Sequence, residues 1–240
     1  SNGEIEKFLA EHGDLPQIGW MKLRWLRWLT ERGEWSTFAD YYDPALNFTE
    51  LDCLYGQYLF RANLPVEANA QAQKLWLVGK SQPEACDALF SQWQRSGGLT
   101  DELRWQRAKL AAEAGQYGLA SSLIRQLPGL THKGQLLVEV AQKPQLLKQT
   151  GKFVPADRQM ADVVGLGLRR MARQNPEQAI EWLEFYGNRL PFSSEEKVAI
   201  ARSIGLTLAK RFDARALKVM AQYDPELRDN TVSEWRTRLL

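Results

Sequence analysis

The sequence predicts an all-α fold, a right-handed superhelical solenoid of antiparallel helix pairs of the tetratricopeptide-like kind. Three observations lead to this prediction. The 240 residues contain no sustained two-residue alternation, and no Asn-Gly or Asp-Gly turn lies between β-branched runs. Apolar residues recur at helical spacing along almost the whole chain. The helices also break at recurring joints, at intervals of roughly 30 to 40 residues, which is the range of known helical repeats.

The composition is that of an ordinary folded protein, with 44% hydrophobic and 25% charged residues. Lys and Arg number 31 against 29 Asp and Glu, and the net charge of +2 is too small to indicate nucleic acid or an anionic membrane as partner. Apolar runs are far shorter than the roughly 20 residues of a membrane span. We expect residues 1–240 to form a single α-superhelical segment, with a bend or looser region at about 128–158, where Gly, Pro and Lys are more frequent.

The first clear helix should run from about Gln17 to Arg32. One set of apolar residues follows 3, 4 and 4 spacing: Ile18, Met21, Trp25 and Leu29. A second set fills much of the remaining circumference: Trp20, Leu23, Leu26 and Trp28. This helix should therefore be buried on more than one side.

The joints between paired helices combine small residues with a short break. The breaks are expected at Gly33, Asn63, Gly115, Asn175 and the Phe212–Asp213 pair. Gly or Asn at such a break favours the left-handed conformation that ends one helix and reverses the chain. Each pair would then stack on the next, because a single pair cannot bury both of its faces.

The stretch LWLVGKSQPEACDALF, residues 75–90, contains Gly-Lys-Ser, the end of a phosphate-binding loop. That loop requires a glycine five residues before the Gly-Lys-Ser, and Lys74 stands there instead. A helical sequence also precedes the motif where a strand is needed. A nucleotide site is therefore not expected, which leaves a reactive thiol at Cys86 or a structural joint.

Candidate chemical groups are few. His12 and His132 have no second His or Cys within five residues, so we expect exposed turn histidines and no metal site. Two carboxylate pairs, Glu181 with Glu184 and Glu195 with Glu196, are typical of solvated helix faces, and the second pair follows a helix N-cap. No catalytic, cofactor-binding or metal-binding residue is predicted.

Two basic clusters allow two interpretations. They comprise Lys22, Arg24 and Arg27 in the first helix, and Arg169, Arg170 and Arg173 later in the chain. Such groups can bind an anionic polymer, but long basic side chains also cover apolar surface while their charge stays in water. Because the net charge is small, we favour the covering role.

The segment KLWLVGKSQPEACDALFSQWQRSG, residues 74–97, resembles the superhelical U-shaped domain of the soluble lytic murein transglycosylases. Further segments follow in the order that this family uses: IEKFLAEHGDLP, WLTERGEW and LRWQRAKLAAEAGQYGLASSLIRQLP. The resemblance is most specific from about Ile5 to Leu147. It is weaker from Gly151 to Leu240, where it rests on continued helix pairs and on SEWRTRLL.

The resemblance implies an all-α superhelix that is joined, in the parent enzyme, to a C-terminal lysozyme-like domain. That domain carries a Glu-Ser pair, a Gly-Leu-Met-Gln segment and an Ala-Tyr-Asn-Ala-Gly segment, and none of the three occurs here. We therefore expect this chain to be truncated from a longer one and to be catalytically silent. The family's catalytic acid has no matching position in this sequence.

The resemblance also bears on the cysteines and the joint. Gly79 and Ser81 would end one helix, Pro83 would begin the next, and Cys86 would face Cys53 on a neighbouring helix. We expect a structural disulfide between Cys53 and Cys86, in keeping with an oxidising periplasmic location. Two separately buried free thiols are the alternative.

Two functions follow as hypotheses. The first is a non-catalytic scaffold of a periplasmic lytic transglycosylase, which would position peptidoglycan glycan strands or the absent catalytic domain. The second is a freestanding tetratricopeptide-like adaptor that binds another protein. Direct glycan cleavage by this chain is a further hypothesis, and it has little support. We also expect self-association through an exposed apolar face that includes Val232, Trp235 and Leu239.

Overall fold

The structure is a computed structural model that describes Gly3, Lys7 and residues 18–240, except Asp224, Leu227 and the side chain of Tyr223. Regular secondary structure in the described residues is helical, so the all-α prediction is confirmed. None of the helices in these residues is long and apolar enough to cross a membrane. The chain divides into two compact units, Ser1–Leu103 and Arg104–Leu240. Whether residues 1–240 form one continuous superhelical segment stays a prediction.

In the part of the first unit that the structure describes, five helices are complete: α1 (Ile18–Glu31), α2 (Trp35–Tyr41), α3 (Thr49–Arg61), α4 (Pro65–Trp76) and α5 (Ala85–Arg95). A short 3-10 helix, Pro44–Leu46, precedes α3. The next helix, α6 (Asp101–Glu113), begins in the first unit and ends in the second.

The second unit continues with α7 (Tyr117–Ile124), α8 (Thr131–Gln142), α9 (Arg158–Gln174), α10 (Pro176–Gly187), α11 (Ser194–Lys210), α12 (Arg215–Tyr223) and α13 (Asn230–Leu239). The region 128–158, expected to be looser, holds helix α8 and three short 3-10 helices: Pro128–Leu130, Pro144–Lys148 and Thr150–Lys152. Leu137 and Leu147 in this region are fully buried, so it contributes to the core of the second unit.

Helix α1 matches the predicted boundaries within the described residues, but it is buried on one face only. Its buried residues are Leu23, Trp25, Leu26 and Leu29, which pack with Phe38 and Leu51. Trp20 and Trp28 are 64% and 41% exposed, so the expectation of burial on several sides is wrong. Helical spacing does not show which part of an apolar helix surface a neighbour covers. The neighbouring helices α2 and α3 cover only one side of α1, and both tryptophan rings lie outside that side.

Most of the predicted joints reverse the chain through a left-handed residue. Gly33, Asn63 and Gly115 have φ values of 79°, 59° and 78°, as expected for helix ends that require positive φ. Phe212 also has a positive φ, of 55°. Asn175 is different, because its φ of −144° is extended and its side chain accepts a hydrogen bond from Gln178 N at the start of α10. The joint there is a helix N-cap, and the left-handed expectation for Asn175 is wrong.

Helix α9 forms the centre of the second unit. All but a few of its residues from Met160 to Ala172 are buried, and it packs on α8, α10 and α11. Two close approaches depend on glycine: a Cβ at Gly167 would come within 2.3 Å of Val140, and one at Gly165 within 2.2 Å of Glu196. The absence of side chains at these two positions lets α8 and the start of α11 lie directly against α9.

Candidate functional site

The Gly-Lys-Ser stretch is a structural joint. Helix α4 ends at Trp76, three residues before Gly79, so the expectation that Gly79 and Ser81 end the helix is wrong in position. Gln82 Nε2 donates a hydrogen bond to Leu75 O at 2.5 Å, which satisfies a carbonyl at the end of α4. Pro83 O then accepts from Cys86 N at 2.9 Å, which starts the turn that leads into α5.

The expected disulfide between Cys53 and Cys86 is present and joins α3 to α5. The two Cα atoms are 4.9 Å apart, and both residues are fully buried. Gly56 lies at the same helix contact, where an added Cβ would come within 2.8 Å of Leu89. The bond between Cys53 and Cys86 confirms the predicted disulfide. It excludes both alternatives, a reactive thiol at Cys86 and a pair of free thiols.

A groove of about 380 Å³ lies on the first unit, lined by Arg27, Thr30, Glu31, Glu50, Leu54, Pro83, Glu84 and Ala85. Its floor includes the start of α5, next to the disulfide. Arg27 Nε pairs with Glu50 Oε1 at 2.9 Å across the groove, and both side chains are partly exposed. Four of its eight lining residues are charged, three of them glutamates, so the groove is a polar surface feature.

The exposed face of α1 borders this groove. Residues four apart on a helix lie on one face, and the exposed residues follow this rule: Trp20, Met21, Arg24, Arg27, Trp28 and Glu31. The guanidinium of Arg32 lies over the Trp28 ring at 4.8 Å, and that of Arg61 lies over Trp35 at 4.4 Å. Neither arginine belongs to the cluster of Lys22, Arg24 and Arg27, so the covering role of that cluster stays a prediction.

The later basic cluster has a different role from the one predicted. Arg169 is buried, and it pairs with Glu113 Oε1 at 3.2 Å and with Glu196. Arg170 donates to the carbonyl of Glu113 at 2.8 Å and to that of Ala112, at the end of α6. The covering interpretation is wrong for these two arginines, because one is an interior ion partner and the other caps a helix. Arg173 alone of the three is exposed.

A second buried charge lies about two turns earlier in α9. Asp162 accepts from Trp105 Nε1 at 2.8 Å and from Lys109 Nζ at 2.6 Å, and Arg158 Nε lies 3.7 Å away. Every oxygen of this carboxylate therefore faces a donor from α6 or α9. A buried carboxylate with these partners holds the two helices together.

The members of the two carboxylate pairs lie in different environments. Glu196 pairs with Arg169, while Glu195 is exposed in the first turn of α11. Ser193 accepts from Glu196 N at 3.1 Å, which confirms the predicted N-cap. The backbone and Ser193 lower the pKa of Glu195, as expected at a helix N-terminus. Glu181 and Glu184 lie on the outer part of α10, and Glu184 borders a second groove of about 230 Å³.

The histidines and metal ligands give no site in the part of the chain that the structure describes. His132 is exposed in the first turn of α8, and His12 lies outside the described residues. No group of three or more His, Cys, Asp or Glu in the described residues is placed to hold a metal ion.

A cavity of about 540 Å³ lies between α11, α12 and α13. Its floor is apolar, from Val198, Ala201, Met220 and Val232, and ion pairs of Arg202 with Asp229 and Arg228 with Glu226 lie at its rim. Val232 is buried here and Trp235 packs 6.5 Å from the Phe212 ring. The expectation that Val232 belongs to an exposed apolar face is therefore wrong.

Comparison with known proteins places the whole chain beside one group of enzymes. The soluble lytic murein transglycosylase of Escherichia coli K12 is 28% identical over 73% of this chain, and that of Salmonella typhimurium LT2 is 30% identical over the same share. A solved structure of lytic transglycosylase Slt from Pseudomonas aeruginosa, an inactive mutant, is 65% identical over 100% of this chain, with a TM-score of 0.96. The 70 kDa enzyme of Escherichia coli, at 22% identity and a TM-score of 0.67, shows the same fold.

This chain spans 27% of the length of the two curated relatives and 39% of the Pseudomonas structure. One protein-family model also matches, described as Cucumovirus coat protein, at residues 56–149. That match covers less than half of the chain, and the relatives that span all of it belong to another class, so no function is taken from it. Over its whole length, the chain is homologous to a part of the soluble lytic murein transglycosylases.

Proposed function

We propose that this chain is a non-catalytic scaffold segment of a periplasmic soluble lytic murein transglycosylase, with a role in peptidoglycan turnover. The observation that carries the proposal is the match of the entire chain to 39% of a lytic transglycosylase at 65% identity. The three segments that mark the family's catalytic domain are missing from the sequence. The parent protein would then be the enzyme, and this part would hold the glycan strand or the catalytic domain in position.

The side-chain arrangement supports a scaffold role. The interior charges around Asp162 and Arg169 are used to join helices, so they are not available for proton transfer to a substrate. The carboxylate of Asp157 accepts from Met160 N and from Lys133, and these bonds, working against burial, lower its pKa. A general acid needs the opposite shift, toward a raised pKa.

A periplasmic location agrees with the buried disulfide, because disulfides persist in oxidising compartments and are rare in the cytosol. The location, the glycan partner and the catalytic domain as partner all belong to the proposal. Self-association also belongs to the proposal. It would depend on partly exposed residues such as Trp235 and Leu239.

The decisive experiment incubates the purified chain with peptidoglycan sacculi that have been stripped of protein by detergent and protease. Mass spectrometry of the soluble fraction should find no anhydromuropeptides above the buffer level, and a complete lytic transglycosylase serves as positive control. The chain should also sediment with the sacculi. Release of anhydro products would contradict the scaffold proposal.

The same experiment separates the alternative, a tetratricopeptide-like adaptor that binds protein. Stripped sacculi contain no partner protein, so an adaptor would stay in the supernatant. The helix pairs of the structure are compatible with both functions. We favour the scaffold because the similarity to the transglycosylases extends over the full chain.

A further inference from the structure

We propose that the exposed face of α1 is a contact surface for the peptidoglycan strand, with Trp20 and Trp28 as ring platforms and Arg24 as the cationic contact. This inference rests on the proposed function and assigns it a place on the molecule. Trp20 and Trp28 are 64% and 41% exposed, which is unusual for the largest apolar side chain in a folded protein.

The two rings lie on one helix, eight residues apart, so they are separated by about 12 Å along the axis. This distance is comparable to the length of two linked sugar rings. A flat indole face can lie against the C–H face of a pyranose, while its N–H remains available for a hydroxyl group. Trp20 is held by the neighbouring Phe48, at 5.1 Å between ring centres, and Trp28 by Arg32, at 4.8 Å.

Such support matters because an exposed ring that is already fixed loses little conformational freedom on binding. The side chain of Trp28 has one face under the Arg32 guanidinium, so its position is set before a ligand arrives. Glu34 in turn accepts from Arg32 Nε at 3.1 Å and fixes the guanidinium. Both platforms are therefore supported by neighbours in the same unit.

One exposed cation on this face suits an anionic polymer. Arg24 lies midway between the two tryptophans, whereas Arg27 beside Trp28 is paired with Glu50. The stem peptides of peptidoglycan end in carboxylates, and guanidinium groups bind carboxylates with two parallel hydrogen bonds. The groove of about 380 Å³ beside this face is lined by Glu31, Glu50 and Glu84 against Arg27, so we expect the stem-peptide carboxylates to contact Arg24 and to remain outside the groove.

The test is sedimentation of the chain with stripped sacculi over a range of sacculus concentrations. The variant Trp20→Ala/Trp28→Ala should bind about tenfold or more weakly, because exposed tryptophans at a contact surface carry a large share of binding energy. Arg24→Gln should weaken binding at low salt and reduce its salt dependence. Phe212→Ala is the matched control, since Phe212 is an exposed ring of the other unit, 75% exposed, and its loss should leave binding unchanged.

All variants should keep the helical circular dichroism of the parent chain, because the substituted side chains lie outside the buried cores; the lost ring contacts with Phe48, Arg32 and Trp235 should lower the melting temperature only slightly. Wild-type binding by the tryptophan variant would overturn the proposal, as would no binding of the parent chain or tighter binding to DNA or anionic lipid vesicles than to sacculi. If the tryptophan variant binds like the parent chain and both remain without anhydro products, the surface assignment fails and the scaffold function stands.

Discussion

Gly134 shows how a single residue sets the distance between two helices. A Cβ at this position would come within 2.4 Å of Ile124 Cγ2 and 2.7 Å of its Cγ1, so α8 and α7 touch through backbone and side chain there. Ile124 is buried and branched at Cβ, so it cannot turn aside into another rotamer at low cost.

Substitution of Gly134 by Ala should therefore lower the free energy of unfolding by about 1 to 3 kcal/mol, the usual cost of overpacking. Gly118→Ala in α7 is the matched control, because nothing lies within 4 Å of the added methyl group. That change should raise stability by about 0.5 to 1 kcal/mol through the lower conformational entropy of the unfolded chain. Urea unfolding followed by circular dichroism measures both, and equal effects would contradict the packing account.

Predictions about single residues were most reliable where the backbone conformation alone decides the outcome. Positive φ at Gly33 and Gly115 follows from the chemistry of glycine, and the N-cap at Ser193 follows from its short polar side chain. Arg169 and Glu196 were misinterpreted, because each is ordinary on a helix surface and only the fold reveals that they meet inside. An Arg within the apolar run of α9 was the available signal, since a buried arginine needs an ionic partner.

At the scale of the element, the disulfide joins α3 to α5, two helices that α4 separates along the sequence. It closes a separation of 33 residues, and the chain-entropy account gives about 3 to 4 kcal/mol of stabilisation for such a loop. Both sulfurs are fully buried, so a reductant reaches them only after α3 and α5 have separated.

Reduction should consequently be slow in the native chain and fast in denaturant, and the reduced chain should melt at a lower temperature. Thiol titration with and without guanidinium, before and after reduction, measures this. The unreduced, denatured chain should show no free thiol. Rapid reduction of the native chain, or an unchanged melting temperature afterwards, would contradict the structural role.

The start of α12 depends on one carboxylate. Asp213 accepts from the backbone N–H of Arg215 at 2.9 Å and from its guanidinium at 2.6 to 3.1 Å. The guanidinium and the backbone N–H together hold the pKa of Asp213 at about 2. An aspartate in an unfolded chain has a pKa near 3.9, approximately two units higher.

Because the folded pKa lies below the unfolded one, this carboxylate stabilises the fold above about pH 4, and the contribution is lost as the pH falls toward 2. Asp213→Asn should remove that part of the acid sensitivity. Arg215→Gln should remove it together with the part that comes from Glu177, which Arg215 also binds. Thermal melts between pH 2 and pH 6 test this, and the double variant should differ little from Arg215→Gln alone. Additive effects of the two substitutions would show that the pair does not act together.

Element boundaries could be predicted where a cap or a proline fixes them, and less well where tertiary contacts decide. The end of α4 is the clearest case, because the sequence continues in apolar residues past Trp76 while Gln82 ends the helix by binding Leu75 O. The spacing of apolar residues carries no information about a hydrogen bond from a side chain seven residues further along the chain. The groove beside α1 was missed for the same reason, as its walls come from α1, α3 and α5.

At the scale of the whole molecule, the open question is whether the chain unfolds as one body. The sequence predicted one α-superhelical segment, whereas the described residues divide into two compact units at Leu103, within α6. Each unit has its own core, around Leu26 and Phe38 in the first and around α9 in the second. In stacked helical repeats, stability is a sum of local terms, so parts of the chain can open independently.

Hydrogen exchange measured by mass spectrometry shows whether the two units open independently or the chain unfolds as one body. Reduction of the disulfide between Cys53 and Cys86 should accelerate exchange in α3, α4 and α5, which surround it, by up to the several hundredfold that about 3 to 4 kcal/mol allows. Peptides from α9 and α11 should keep their exchange rates, because their protection comes from buried residues such as Val163 and Leu208 of the other core.

Asp162→Ala is the reciprocal experiment, since loss of this buried carboxylate leaves Lys109 unpaired and should accelerate exchange in α6 and α9 while sparing α3. A uniform change along the chain in both experiments would mean that residues 18–240 unfold as one cooperative segment.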